Sequence, residues 1–186
     1  MSASQSSHAP FAGNSPAVPS NRTFVGLGSN LADPSMQIQA AFAALARLPQ
    51  SRLVRRSSLY RSAPWGVPDQ PDFVNAVAEI ETALAPSALM HALLRIERDF
   101  GRDRRGDRWG PRILDLDLLL YADRSVDEPG LRVPHRHLHE RAFALLPLAE
   151  IAPQLDIPGH GPIAQVLARL DSSGVQMLES RAVATG

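Results

Sequence analysis

Apolar and polar residues alternate along this chain at two periods, and the switches between them mark its elements. Thr23 to Gly28 is a short apolar run closing on Gly28-Ser29-Asn30, which reads as a strand entering a turn. Asp33-Pro34 then opens a helix, with Asp as N-cap and Pro at the first helical position. Ile38, Phe42, Leu45 and Leu48 share one face of it, and Pro49 ends it. A second strand is expected from Leu53 to Tyr60 and a third from Phe73 to Thr82. The loop between them carries Pro64, Pro68 and Pro71 and is too long for a tight hairpin. Pro86 opens a second helix, with Leu89, Leu93, Ile96 and Phe100 as its buried stripe and Gly101 at its end. A polar loop over 102–111 leads to a fourth strand that ends near Tyr121.

The order strand, helix, strand, strand, helix, strand predicts an α+β fold. Its expected form is a ferredoxin-like βαββαβ sandwich, an antiparallel sheet with helices on one face. C-terminal additions follow: a short strand at Leu131–Val133, a helix from His139 to Ile151 broken near Pro147, and a short helix from Pro162 to Leu170. Residues 1–21, rich in Ser, Ala and Pro, read as a disordered tail without the basic start and apolar stretch of a secretory signal. The folded domain is expected over 22–172, with a C-terminal extension at 173–186.

In the fourth strand, Asp115 and Asp117 share one face while Leu114, Leu116 and Leu118 share the other. Two acids on an otherwise apolar strand are costly unless a cation pairs with them. The preceding segment supplies arginines: Arg98, Arg102, Arg104, Arg105, Arg108 and Arg112. Acids suited to a metal, beside guanidinium forks suited to phosphate oxygens, point to phosphoryl transfer on a Mg-nucleotide. The glycine-containing loop around Trp109 has the composition of a catalytic lid that closes on phosphates.

Composition narrows the classes. A formal net charge of +0 provides no global field for nucleic acid or an anionic membrane, so cationic function must be local. Cysteine is absent, which excludes disulfides and thiolate metal sites and fits the cytoplasm. No apolar run approaches the roughly 20 residues of a membrane span. No P-loop, dinucleotide fingerprint or protein-kinase motif is present.

Other constellations are less specific alone. Phe73 and Asn75 lie on one strand face and suit a flat heterocycle with an amide edge, or are a core Phe beside an edge Asn. His135 and Arg141 suit phosphate contact or proton transfer, or are surface groups. With His137 and His139 nearby, the irregular spacing gives no zinc geometry. The Gly26-Leu27-Gly28 turn reads as structural. An RNA-binding sandwich and a nucleotidyltransferase releasing pyrophosphate are the competing readings.

Four blocks carry a resemblance, in order: Gly28-Ser29-Asn30-Leu31; Ser58-Leu59-Tyr60-Arg61-Ser62-Ala63-Pro64-Trp65-Gly66; Gln70-Pro71-Asp72-Phe73-Val74-Asn75-Ala76; and Arg108-Trp109-Gly110-Pro111-Arg112-Ile113-Leu114-Asp115-Leu116-Asp117. Val133-Pro134-His135 and Arg141-Ala142-Phe143 follow at a fitting distance. Over roughly residues 23–170 the chain resembles the 6-hydroxymethyl-7,8-dihydropterin pyrophosphokinases of folate biosynthesis.

The resemblance implies transfer of the β,γ-diphosphate of ATP to the pterin hydroxymethyl group, releasing AMP. It places two Mg²⁺ ions on Asp115 and Asp117, and makes Arg102, Arg112 and Trp109 the catalytic loop residues. Ser62, Ala63, Trp65, Gly66, Phe73, Asn75 and Phe143 would hold the pterin. Arg102, Arg104, Trp109, Arg112, His135 and Arg141 would hold ATP. Position 73 is Phe where Tyr also occurs, and Arg136 stands where a Tyr can follow the His, which leaves that contact with ATP open. The expected partners are ATP and the dihydropterin, with no nucleic acid or membrane, and the protein is expected to be a cytoplasmic monomer.

Overall fold

The structure, a computed structural model, describes residues 20–64, 69–101 and 111–179. Its elements in chain order are β1 (Asn21–Ser29), α1 (Pro34–Leu45), β2 (Ser51–Arg56), β3 (Tyr60–Ser62), β4 (Phe73–Thr82), α2 (Pro86–Asp99) and β5 (Asp115–Tyr121). The hairpin β6 (Val126–Glu128) and β7 (Leu131–Val133) follows, then a 3-10 turn at Leu138–Glu140 and α3 (Ala142–Ile151). The chain continues through β8 (Asp156–Ile157), β9 (Gly161–Pro162), α4 (Ile163–Leu167) and β10 (Val175–Met177).

The main sheet runs β10-β3-β4-β1-β5, with β2 also on β4, and its pairings are antiparallel. β1 lies inside it and is apolar on both faces. Val25 and Leu27 face α1 and α2, packing with Ile38, Phe42, Leu89 and Leu93. Phe24 faces the other side, with Val77 and Leu119 against Leu145 and Leu148 of α3. The expectation of helices on one face therefore holds for α1 and α2, while α3 and α4 cover part of the opposite face. A strand covered on both sides needs apolar residues in succession, which is why β1 does not alternate.

Local chemistry explains the boundaries. Asp33 caps α1 by accepting from the Met36 N–H at 3.1 Å, with Pro34 in the first turn. The strand expected from Leu53 to Tyr60 is instead two strands. Ser57 Oγ accepts from the Val77 N–H at 2.9 Å, so a side chain takes a place in the ladder and the backbone breaks step. The helix expected to break at Pro147 does not: α3 runs through it. Proline removes one backbone donor there, but Ala144, Leu145, Leu148 and Ile151 are all buried around it and hold the helix in place. Residues 138–140 form a 3-10 turn rather than the start of that helix. β10 pairs with β3, so the sheet extends past the boundary at 172 that the sequence suggests. Residues 1–19 and 180–186 lie outside the described residues.

Leu93 is 0% exposed between α2 and the sheet. Leu93→Ala should cost about 3 kcal/mol, from lost burial plus the cavity it leaves. A urea midpoint lowered at unchanged slope would show it.

Candidate functional site

Antiparallel register assembles the site. Gly28 near the end of β1 is paired with Asn75 on β4 and with Asp115 on β5. One step back, Gly26 is paired with Val77 and Asp117. Paired residues share a sheet face, so Asn75, Gly28 and Asp115 form one row across three strands. Gly28 contributes no side chain to that row. A Cβ built there would lie 3.5 Å from Asn75 Oδ1 and 3.9 Å from Asp115 Cβ. The missing side chain leaves a slot between the carboxamide and the carboxylate, about 9.6 Å across at two strand spacings. Gly26 has a different cause: a Cβ there would meet the Leu119 side chain at 3.2 Å.

Above this row opens a cleft. Most of the expected residues that fall within the described residues line it: Ser62, Ala63, Phe73, Asn75, Arg112, Asp115, Asp117, Arg141 and Phe143. Asn75 is buried and donates to Ser62 Oγ at 2.9 Å, which ties β4 to β3 on the apolar side of the cleft. The Arg112 guanidinium lies 5.9 Å from the Phe73 ring centroid, and that of Arg141 lies 5.7 Å from the Phe143 centroid. Each aromatic ring is thus paired with an arginine that also faces the acids.

Arg112 donates through Nη1 to Asp115 Oδ2. Arg141 Nη1 lies 3.7 Å from Asp117 Oδ2, and His135 Nε2 lies 3.9 Å from the same oxygen. His135 does not line this cleft. It borders a second cavity with Arg132, Arg136, His139 and His160. Burial, then Arg141, depresses His135 to about 4, so at neutral pH its contact with Asp117 is not an ion pair. Burial pushes Asp117 up to about 7, and Asp115 pushes the same way, against Arg141. The Asp117 side chain keeps 37% of its surface open, which tempers burial, and the adjacent Asp115 carboxylate acts in the same upward direction.

Arg102, Arg104, Trp109, Trp65 and Gly66 lie outside the described residues. Several lining residues were not expected from sequence: Gly26, Gly28, Gln70 and Ala144. The signal for the first two is in the chain, since glycines two apart on a central strand bare one face. Asn30 was missed as well. It is 3% exposed, accepts from the Arg112 N–H through Oδ1 at 2.8 Å, and reaches Gln70 Oε1 and the Pro71 carbonyl through Nδ2, each at 3.3 Å.

Comparison with known proteins gives the family and supports the fold. The model of the family 7,8-dihydro-6-hydroxymethylpterin-pyrophosphokinase matches residues 24–153. A 2-amino-4-hydroxy-6-hydroxymethyldihydropteridine pyrophosphokinase of Pseudomonas aeruginosa is 51% identical over 157 residues, covering 84% of this chain and 96% of the relative. One from Methylorubrum extorquens is 46% identical over 158 residues, covering 85% and 99%. Among solved structures, an HPPK-DHPS in complex with substrates superposes with a TM-score of 0.70 at 11% identity, over 87% of this chain and 47% of that one. Wild-type HPPK-DHPS of Plasmodium falciparum with STZ-DHP gives 0.65 at 13% identity, over 83% and 44%. These two support the mixed α/β fold with its antiparallel sheet, and the chain spans about half the length of those solved chains. With an acid pair and an open slot on one sheet face, the chain is of the pyrophosphokinase class. By sequence, the chain belongs to the 7,8-dihydro-6-hydroxymethylpterin-pyrophosphokinase family.

A raised carboxyl pKa gives a signed expectation. Asp117 holds its proton more tightly folded than unfolded, so its contribution to stability is complete at acid pH and falls as pH rises from about 4 toward about 7. Asp117→Asn should therefore raise the Tm of metal-free protein at pH 8, with the gain disappearing near pH 4. Equal gains at both pH values would contradict the raised pKa.

Proposed function

We propose that the slot over Gly28 holds the dihydropterin and that the acid face beside it holds the phosphates of ATP. The reaction is that of the family, pyrophosphoryl transfer from ATP to hydroxymethyldihydropterin in folate synthesis, with ATP as co-substrate. One observation carries the assignment of sites. The carboxamide of Asn75 and the carboxylates of Asp115 and Asp117 face one cleft across a single glycine strand. A ring read by Asn75 would thus place its substituent next to the acids.

Phe73 and Phe143 would stack the ring, and Asn75, with Ser62, Ala63, Trp65 and Gly66, would hold its edge. The donor set of Asp115 and Asp117 fits Mg²⁺. That ion takes one or two carboxylates and completes its shell with water and phosphate oxygens. When bound, one or two such ions would neutralise charge on the transferred group. Arg112 and Arg141 would orient the polyphosphate from opposite sides, with Arg102, Arg104 and Trp109 completing its enclosure. His135, neutral at physiological pH, would donate one hydrogen bond to a phosphate oxygen instead of a charge. No side chain is assigned as general base, because a primary alcohol held in line needs little activation.

The strand order around β1 supports reading the core as ferredoxin-like, with the C-terminal elements as additions to it. The domain is proposed to run from residue 22 through β10, in a cytoplasmic monomer. Among the described residues no helix is long and apolar enough to cross a membrane.

Incubation with ATP, Mg²⁺ and 6-hydroxymethyl-7,8-dihydropterin should yield AMP only when pterin is present. ADP or pyrophosphate as the nucleotide-derived product would overturn the assignment. Gly28→Val, which pushes methyl groups into the slot, should weaken pterin binding by about tenfold or more in calorimetry while ATP binding persists.

A further inference from the structure

Ser58-Leu59-Tyr60 belongs to one of the family-like blocks, yet none of these residues lines the cleft. Their polar groups converge elsewhere. The buried Tyr60 donates its hydroxyl to Glu150 Oε2 at 3.0 Å. The Ser58 N–H lies 3.0 Å from both Glu150 carboxylate oxygens, and the Ser58 hydroxyl lies 2.9 Å from Oε1. One carboxylate on the last turn of α3 therefore takes three donors from β3 and the residues just before it. Next to it, Arg55 Nη1 donates to the Ile151 carbonyl at 2.8 Å.

The other end of the same helix enters the cleft. Phe143 and Ala144 line it, and Arg141 is the N-cap residue. At about 1.5 Å rise per residue, Glu150 stands about 10 Å along the axis from Phe143. The opposite wall is β3 and β4, where Tyr60 is paired with Asn75 and Ser62 with Phe73. The Glu150 carboxylate is thus a direct side-chain tie between the two walls. It is more than an exposed surface acid, because it accepts from a backbone N–H and two hydroxyls at once. Burial, and then Glu150 itself, push the Tyr60 phenol up to about 12, which keeps its proton available for this bond.

We propose that Glu150 is a positioning residue for the pterin, holding α3 against Ser58 and Tyr60 so that Phe143 stands at ring-stacking distance across from Phe73. This rests on reading the slot as the pterin site. A flat ring held between two others needs a gap of about 7 Å, twice a contact distance of about 3.5 Å. An error of about 1 Å loses much of that contact and the alignment it provides. ATP, held chiefly by arginines and the acid face, of which Arg141 alone sits at the end of α3 among the described residues, depends less on that gap.

The test is calorimetric Kd for pterin and for an ATP analogue, with kcat and both KM values, on wild type, Glu150→Ala, Glu150→Gln and Tyr60→Phe. Wild type that does not bind pterin would remove the slot assignment itself. If wild type binds, Glu150→Ala is expected to raise Kd and KM for pterin about tenfold with ATP affinity nearly unchanged. Glu150→Gln, which keeps an acceptor for Ser58, should recover most of the loss. Tyr60→Phe should show a smaller loss of the same selectivity that does not add to that of Glu150→Ala, and it decides the matter if the alanine variant fails to fold. Unchanged pterin affinity in Tyr60→Phe and Glu150→Ala, or equal losses for pterin and ATP, would overturn the proposal.

Discussion

The register of β1 against its two neighbours is the constraint on which the site depends. Because β4 and β5 both run antiparallel to β1, their first residues meet its last ones, and the functional groups of distant segments fall in one row. A slip of one residue on either side would turn Asn75 or the acids into the apolar core. That slip is blocked by the other face. Leu114, Leu116, Leu118 and Val74 are buried against α1 and α2, so the energy that folds the sheet also aims the polar groups. Glu97, 1% exposed, adds a fastening at the edge by accepting from the Leu116 N–H at 2.9 Å, between the two aspartates.

Charge around the cleft is balanced locally. Asp115 and Asp117 each face an arginine, and each of those arginines also lies near an aromatic ring. The balance is incomplete at Asp117, where burial and a like charge outweigh Arg141. Preorganised acids of this kind reduce the stability of the empty protein, and ligand binding offsets that cost.

Much of this was legible in the chain. β4 spans the expected Phe73 to Thr82, and the helical stripes of α1 and α2 are the buried ones. The two faces of β5 follow directly from its Asp-Leu-Asp-Leu pattern. The failures have local causes. The break after β2 depends on one serine hydroxyl accepting a ladder bond, which no periodicity reveals. Pro147 looked like a helix breaker because proline is costly in isolation, whereas burial around it decides the outcome. Gly28 reads as a turn glycine because its neighbours across the sheet are more than 40 residues away in sequence, and its place in the cleft exists only once they are paired.

β10 has a consequence beyond the cleft. Its three residues occupy the outer side of β3, and the Leu178 N–H continues the contact to the Leu59 carbonyl at 2.7 Å. A chain shortened at 172 would lose this strand and expose the backbone donors and acceptors of β3 as an open edge. Open edges invite pairing between molecules. The last short strand among the described residues therefore covers an edge at which molecules could otherwise pair, with a segment that contributes little to the core.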